Sequence, residues 1–482
     1  MLQTLINVFR VTELRNKILF TLGMLMVFRI GHWIPLPGID GEQLTKAFNQ
    51  ATSEGSAAAK LANFVAMFSG GALSHSTIFG LGIMPYITAG IIFQLLATVL
   101  PALKKLQEEG PPGRQKIMEY TRYVTVGLCV VQGISWLAYL GQAGLILQVW
   151  KDNPVWWVMA VLALTAGTMF LMWLGEQIDK HGIGSGASMI IMAGILGGMP
   201  TAIQSLYGNF DPQDPNKVGW VGLGLLLAGF VGVVAGAVLM QVAQRRIVVQ
   251  QAKHTRGRKV FGGQKSYLPL RINHGGVMPI IFASSLMIFP AVIFTQLKEV
   301  ATNSYNARIT AEAAQGLNTG GEGGWWLAIT TFLTNAFNAG EFPYVILYII
   351  MVYFFSYFWI TVQFNPEEMS KQLKENGSFV PGLRPGPRTA EYLETVMNRI
   401  TFVGAGFLAL IAVLPTVINK SMNIDYSVTN FLGGTGLLIV VSVTMDFLQR
   451  VEANLLMRNY SGFLGEAGDD SSSGPRLGGG PR

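Results

Sequence analysis

Charge is scarce in this sequence. Asp, Glu, Lys and Arg make up 13% of its 482 residues, about half the share in soluble globular proteins, while half of the chain is apolar. That balance excludes an ordinary water-soluble fold. Cysteine is scarcer still: Cys129 stands alone, so an internal disulfide and cysteine-based zinc or iron–sulfur sites are excluded. A Walker phosphate-binding sequence is absent as well, so any use of ATP must reside in a partner. The chain does have 57 glycines, ten tryptophans and 14 tyrosines, as suits helices that pack closely in lipid and carry aromatic rings at its interfaces.

A helix that crosses hydrocarbon needs about 20 mainly apolar residues, since its backbone amides must find their partners within the segment. Ten stretches qualify: Ile18 to Pro37, Ile78 to Leu100, Tyr120 to Leu140, Val155 to Leu174, Ala187 to Ile203, Val218 to Val242, Gly275 to Leu297, Phe342 to Val362, Ile400 to Ile418 and Phe431 to Leu448. The expected fold class is therefore an all-α polytopic membrane protein. Leu2, Leu5, Ile6 and Phe9 trace one face of an interfacial helix over residues 1–17, with no signal-peptide pattern, so this segment is expected to remain in the mature chain.

With ten spans both termini share a side, and the loops fall into two alternating sets. The set containing the termini carries 26 of the 34 Lys and Arg, and the other set carries seven. The positive-inside rule places the basic set, and both termini, in the cytoplasm. Two loops on that side are long. Residues 245–273 hold eight basic residues and no acid, interleaved with Val260, Phe261, Tyr267, Leu268 and Leu270, a pattern that suits a structured hairpin. Arg256, Arg258, Lys259, Lys265 and Arg271 would serve a polyanion such as ribosomal RNA or an acidic protein face, and positive-inside bias alone would give the same charge. The second loop, residues 364–399, contains Val380-Pro381-Gly382-Leu383-Arg384-Pro385-Gly386, where fixed and permissive backbone alternate and hold Arg384 at a tip. Residues 456–482, rich in Gly, Ser and Pro toward their end, read as a disordered tail.

Between the first two spans, Asn63 to Leu73 is apolar but too short to cross, and Gly70-Gly71 end it. A half-helix over about residues 61–75 follows, and non-helical backbone at membrane depth implies an aqueous or protein-lined cavity beside it.

The stretch Met67 to Leu100, MFSGGALSHSTIFGLGIMPYITAGIIFQLLATVL, closely resembles the plug and second helix of the SecY family of protein-conducting channels. RIGHWIPLPGID at 29–40, GEQIDKHGIGSGASMIIMAGI at 175–195, LPLRINHGGVMPIIFASS at 268–285, NPEEMSKQLKENGSFVPGLRPG at 365–386 and GGTGLLIVVSVTMDF at 433–447 resemble the family in the same order. His75, where a basic residue is common, the extra sequence at 303–324 and the Gly-rich tail depart from it.

The resemblance implies two inverted five-helix halves, residues 18–205 and 206–455, around an hourglass pore. It implies a pore ring of Ile83, Ile87, Ala187, Ile191, Ile281 and Ile439, with Ala187 smaller than usual. It implies a plug surface formed by Phe64, Met67, Phe68, Ser69, Gly70, Gly71 and Leu73. A lateral gate would lie between the second and third spans and the seventh and eighth, with Thr88, Gln94, Asn273 and Phe289 at matching positions. The partners implied are SecE-like and SecG-like small membrane subunits, a SecA-like motor ATPase, the ribosome, secretory preproteins with their signal sequences, and membrane lipids. No cofactor or metal is implied.

A secondary transporter would share the spans and the broken helix, but it needs ionisable groups at midplane. Arg29 lies in the first span, and Glu176, Asp179 and Asp446 lie near cytoplasmic ends. An intramembrane protease would use Ser188, in Gly186-Ala187-Ser188, yet no histidine falls securely inside another span as its base.

Overall fold

The computed structural model describes residues 11–39, 41, 44, 76–142, 144–151, 153–208, 210–211, 219–251, 254–256, 259–261, 265–314, 324–337, 341–383, 385–422 and 435–469. Fourteen helices organise them: α1 (Thr12–Gly31), α2 (Met84–Val99), α3 (Pro101–Glu108), α4 (Pro111–Gln142), α5 (Pro154–His181), α6 (Gly186–Gly197), α7 (Met199–Gly208), α8 (Trp220–Val242), α9 (Met278–Ala314), α10 (Gly324–Ala336), α11 (Phe342–Gln363), α12 (Pro366–Glu375), α13 (Pro387–Met422) and α14 (Thr435–Asp469), beside a four-residue turn at Gln148–Lys151. Each of the ten apolar stretches is occupied by helix. Among the described residues, five helical segments are long and apolar enough to cross a membrane, and α2 and α3 together meet the same test as a pair bent by 106°.

Proline and asparagine set several boundaries. Pro154 and Pro366 stand at first helical positions, where a missing N–H costs nothing. Asn153 and Asn365 cap the same helices, accepting from Val155 N at 3.0 Å and from Glu367 N at 3.2 Å. Small residues allow close crossings. A side chain at Gly186 would collide with the backbone of Gly175, and one at Gly167 with the carbonyl of Ile78.

Helices α2, α4, α5 and α6 pack in succession, with α1 also on α5; α9, α11 and α13 pack in succession, with α8 on α14; and α6 packs on α14 across the two groups. One apolar cluster lies among α8, α9, α11, α13 and α14, built on Ile280, Phe282, Val352, Phe355, Leu408 and Leu438. Another joins α4 to α5 around Trp156, whose indole N–H donates to the Pro37 carbonyl at 2.8 Å.

Five strands interrupt the helices on the side of the basic loops. Strand β1 (Gln244–Gln251) pairs antiparallel with β4 (Lys265–Arg271), matching Ile247 with Leu268, and β2 (His254–Arg256) pairs with β3 (Lys259–Phe261). Residues 245–273 are thus the expected hairpin. On its other edge β1 pairs with β5 (Ser378–Phe379), so the two long loops share a three-stranded sheet in the order β4-β1-β5.

Two segment expectations differ from the structure. Helix α1 begins at Thr12, so the last residues of segment 1–17 belong to the first-span helix, and residues 1–10 lie outside the described set. Helix α14 continues to Asp469, so residues 456–469 are helical instead of tail. Its Glu452 to Leu456 stretch consists largely of good helix formers, and no proline interrupts the turns that follow before the Gly-Ser-Pro run.

Candidate functional site

Six aliphatic residues expected at the pore ring come from four helices and their caps, and the fold brings them to one place. Ile83 caps α2 and Ile87 follows one turn later; Ala187 and Ile191 stand one turn apart on α6; Ile281 lies near the start of α9 and Ile439 near the start of α14. Spacing of four residues keeps each pair on one helix face. Ile83, Ile191, Ile281 and Ile439 are all buried in a single cluster with Phe28, Leu174, Met189 and Val443, and Ile87 and Ala187 pack against it. This cluster draws on both groups of helices and lies where α6 meets α14. The cluster is built from apolar side chains, and an apolar constriction resists wetting.

Ordered turns lead into it. Ser76 adopts a left-handed conformation (φ 44°), and its carbonyl accepts from Leu36 N at 2.9 Å, while Ile78 N donates to the Ile34 carbonyl at 3.1 Å. These bonds tie the entry to α2 to the chain leaving α1. The expected plug residues Phe64, Met67, Phe68, Ser69, Gly70, Gly71 and Leu73, just upstream, lie outside the described residues.

The residues expected at a lateral gate lie on α2, on α9 and in the segment before α9. Thr88 donates its hydroxyl proton to Met84 O of its own helix at 2.9 Å, and Gln94 is exposed. Phe289 lies on α9. Asn273 is buried beside α11 and α13. Ile91 of α2 packs against the apolar cluster that α8, α9, α11, α13 and α14 share.

The two long loops form one surface. Ile247, Val249 and Leu270 of the sheet are buried, the cluster being completed by Phe364, Val380, Leu393 and Met397, whereas Arg245, Arg246, Lys265 and Arg271 are exposed. Alternation along β1 therefore turns the apolar side chains inward and leaves cations outside. Arg256 and Lys259 face one another in the β2–β3 register. Arg258 and Arg384 lie outside the described residues, but the turn that carries Arg384 is braced where Ser370 Oγ donates to Gly386 O at 2.8 Å.

Several polar contacts were not legible as sites. Arg122 of α4 donates from Nε and Nη2 to Glu176 Oε1 of α5, at 3.0 and 2.6 Å. Asp179 accepts from Gly186 N at 2.7 Å, satisfying a free amide at the start of α6. Gln241 of α8 donates to Ser442 of α14 at 2.9 Å. The available signal was an ionisable or amide residue within an apolar run, which names the residue without naming its partner.

Residues 77–448 match the SecY family model. The chain belongs to the SecY family. It is 39% identical over 475 residues to the protein translocase subunit SecY of Chlamydia trachomatis serovar D, covering 96% of this chain and 98% of that one. It is 40% identical over 462 residues to that of Escherichia coli K12, covering 94% and 95%. A solved structure of a protein conducting channel superimposes with a TM-score of 0.51 at 18% identity, covering 91% of this chain and 92% of that one. A second SecY structure, concerned with a plug domain that stabilises the closed state and maintains a membrane seal, gives 0.53 at 19% with the same coverage. The fold is that of the SecY channels, a helical polytopic membrane protein, and the family's members are subunits of protein translocases.

Proposed function

We propose that this chain forms the passage through which unfolded secretory polypeptides cross the bacterial cytoplasmic membrane, and that it releases hydrophobic segments sideways into the bilayer. The observation that supports this best is the convergence of Ile83, Ile87, Ala187, Ile191, Ile281 and Ile439, from four helices, on one apolar cluster. Such a ring seals against water at rest and offers a passing chain no hydrogen bonds that would trap it, so low specificity is what the chemistry supplies.

In this reading ten spans divide into inverted halves, 18–205 and 206–455, with both termini in the cytoplasm. The residues of 61–75 close the outer side of the ring as a plug. The gate opens between α2 and α4 on one side and α9 and α11 on the other. Apolar contact such as that of Ile91 holds the seam, so a signal sequence that offers equivalent contact can replace it. The sheet of β1, β4 and β5, with Arg256, Arg258, Lys259, Lys265, Arg271 and Arg384, docks the ribosome or a SecA-like motor. That motor supplies ATP hydrolysis to a passive channel, and SecE-like and SecG-like subunits complete the complex.

Proteoliposomes containing the purified complex, motor, ATP and a radiolabelled preprotein test the proposal. The preprotein becomes resistant to added protease, and removal of this chain abolishes the protection. Protection that persists without the chain overturns the reading.

A further inference from the structure

The residues joining β4 to α9 are neither strand nor regular helix, yet neighbours hold them from several sides. Ile272 N donates to Ala243 O at 3.0 Å. Arg271 Nη2 donates to Gln449 Oε1 of α14 at 3.0 Å. The His274 ring meets Phe364 edge-on at 6.1 Å. Gly276 turns the chain with φ +59°, and α13 approaches so closely that a side chain at Gly404 would press on the Ile272 carbonyl.

One group in this joint remains over. Asn273 is 8% exposed, and its side-chain Nδ2 is buried without a hydrogen-bond partner in the protein. Such groups are rare because burial without a partner is unfavourable. Asn273 lines a cavity with Ser356 of α11 and Thr401 of α13 that leaves about 10 Å³ for the centre of a water molecule, which is room for one. Both hydroxyl protons are already committed: Ser356 Oγ donates to Val352 O at 2.7 Å and Thr401 Oγ1 to Met397 O at 2.7 Å. Their oxygens can therefore only accept further bonds. An apolar atom would leave the amide unpaired, and a cation would be repelled by the amide hydrogens. Water accepts from the amide while donating two protons, which matches all three groups.

We infer that the cavity binds one water molecule, which accepts from Asn273 Nδ2 and donates to Ser356 Oγ and Thr401 Oγ1, and that Asn273 is thereby a positioning residue for the start of α9. The bridge fastens the joint between the basic sheet and α9 to α11 and α13. It stands or falls independently of what α9 does during transport.

An experimental structure of the wild-type complex, at a resolution that shows ordered water, should contain a peak within hydrogen-bond distance of Asn273 Nδ2 and of at least one of the two hydroxyl oxygens. An empty or unresolvably apolar cavity at that resolution overturns the inference. Amide exchange gives a second test. Asn273→Leu should raise exchange over residues 272–278 by about tenfold, the effect of one lost buried hydrogen bond. Thr401→Val should raise it in the wild-type background and have no further effect beside Asn273→Leu, although the two side chains make no direct bond. Additive effects, or unchanged exchange in both single variants, contradict the bridge. Should Asn273→Leu fail to assemble, Ser356→Ala with Thr401→Val tests the same site, since the pair should abolish the water peak.

Discussion

Ile281 shows how the ring depends on placement more than on residue type. Isoleucine in an apolar span is ordinarily a packing or lipid-facing residue, yet Ile281 lies 4% exposed in a cluster shared by α1, α2, α5, α6 and α14. Ala187 packs against the same cluster with a smaller side chain, so a ring formed there would have less aliphatic cover on the α6 side. The whole surface works by what it withholds: hydroxyls in place of these methyl groups would let water persist. Replacing Ile87, Ile191 and Ile281 together with Ser is expected to raise resting ion conductance in planar bilayers severalfold while the complex still assembles. Conductance equal to wild type in an assembled complex would show that these side chains do not form the seal.

At the scale of elements, the sheet of β1, β4 and β5 binds the two long loops into one platform. Burial of Ile247, Val249 and Leu270 contributes about 1.5–3 kcal/mol each, so the apolar face anchors the platform while the cations stay free to meet a partner. Reversing charge at Arg256, Arg258 and Lys259 should weaken ribosome binding and flatten its dependence on salt, by about 0.7–0.9 in logarithmic slope for each phosphate that is no longer neutralised. Arg384→Glu should stop motor-driven transport while leaving membrane insertion intact. Binding curves that superimpose on wild type at all salt concentrations would return the hairpin to the role of a solvated loop. The hairpin was legible because Val260, Phe261, Tyr267, Leu268 and Leu270 are interleaved with the basic run and favour strand. Strand β5 was not, since two residues carry no period and their pairing with Gln250 and Gln251 links positions more than a hundred apart. The ten helical stretches were equally legible from apolar length; the bend between α2 and α3 falls at Pro101 and the break between α6 and α7 at Gly197-Gly198-Met199-Pro200, though the angle of each is not written in those residues. The ring was legible only through resemblance, for nothing in an isolated isoleucine distinguishes a pore from a core. Asn273 was assigned to the gate by the same resemblance, and its neighbours on α11 and α13 were not legible.

For the whole molecule, the arrangement is two groups of helices meeting at α6 and α14, with the apolar cluster between them. At the proposed gate between α2 and α9, Thr88 is satisfied within α2 and Ile91 packs on the apolar cluster of the second group. Interhelical hydrogen bonds in membranes contribute only about 0.6–2 kcal/mol each, so a seam held mainly by apolar contact can exchange one apolar neighbour for another at little cost. A small-molecule transporter has no reason to depend on this seam, whereas a polypeptide channel that opens sideways does. The most direct measurement therefore locks it. In a Cys129→Ala background, Thr88→Cys with Phe289→Cys should form a disulfide under mild oxidation, which requires Cα atoms within about 7 Å. The readout is protection of a translated preprotein from added protease, before and after reductant. Oxidation should abolish protection and reduction should restore it; a disulfide that forms in full while protection continues undiminished would contradict the gating account.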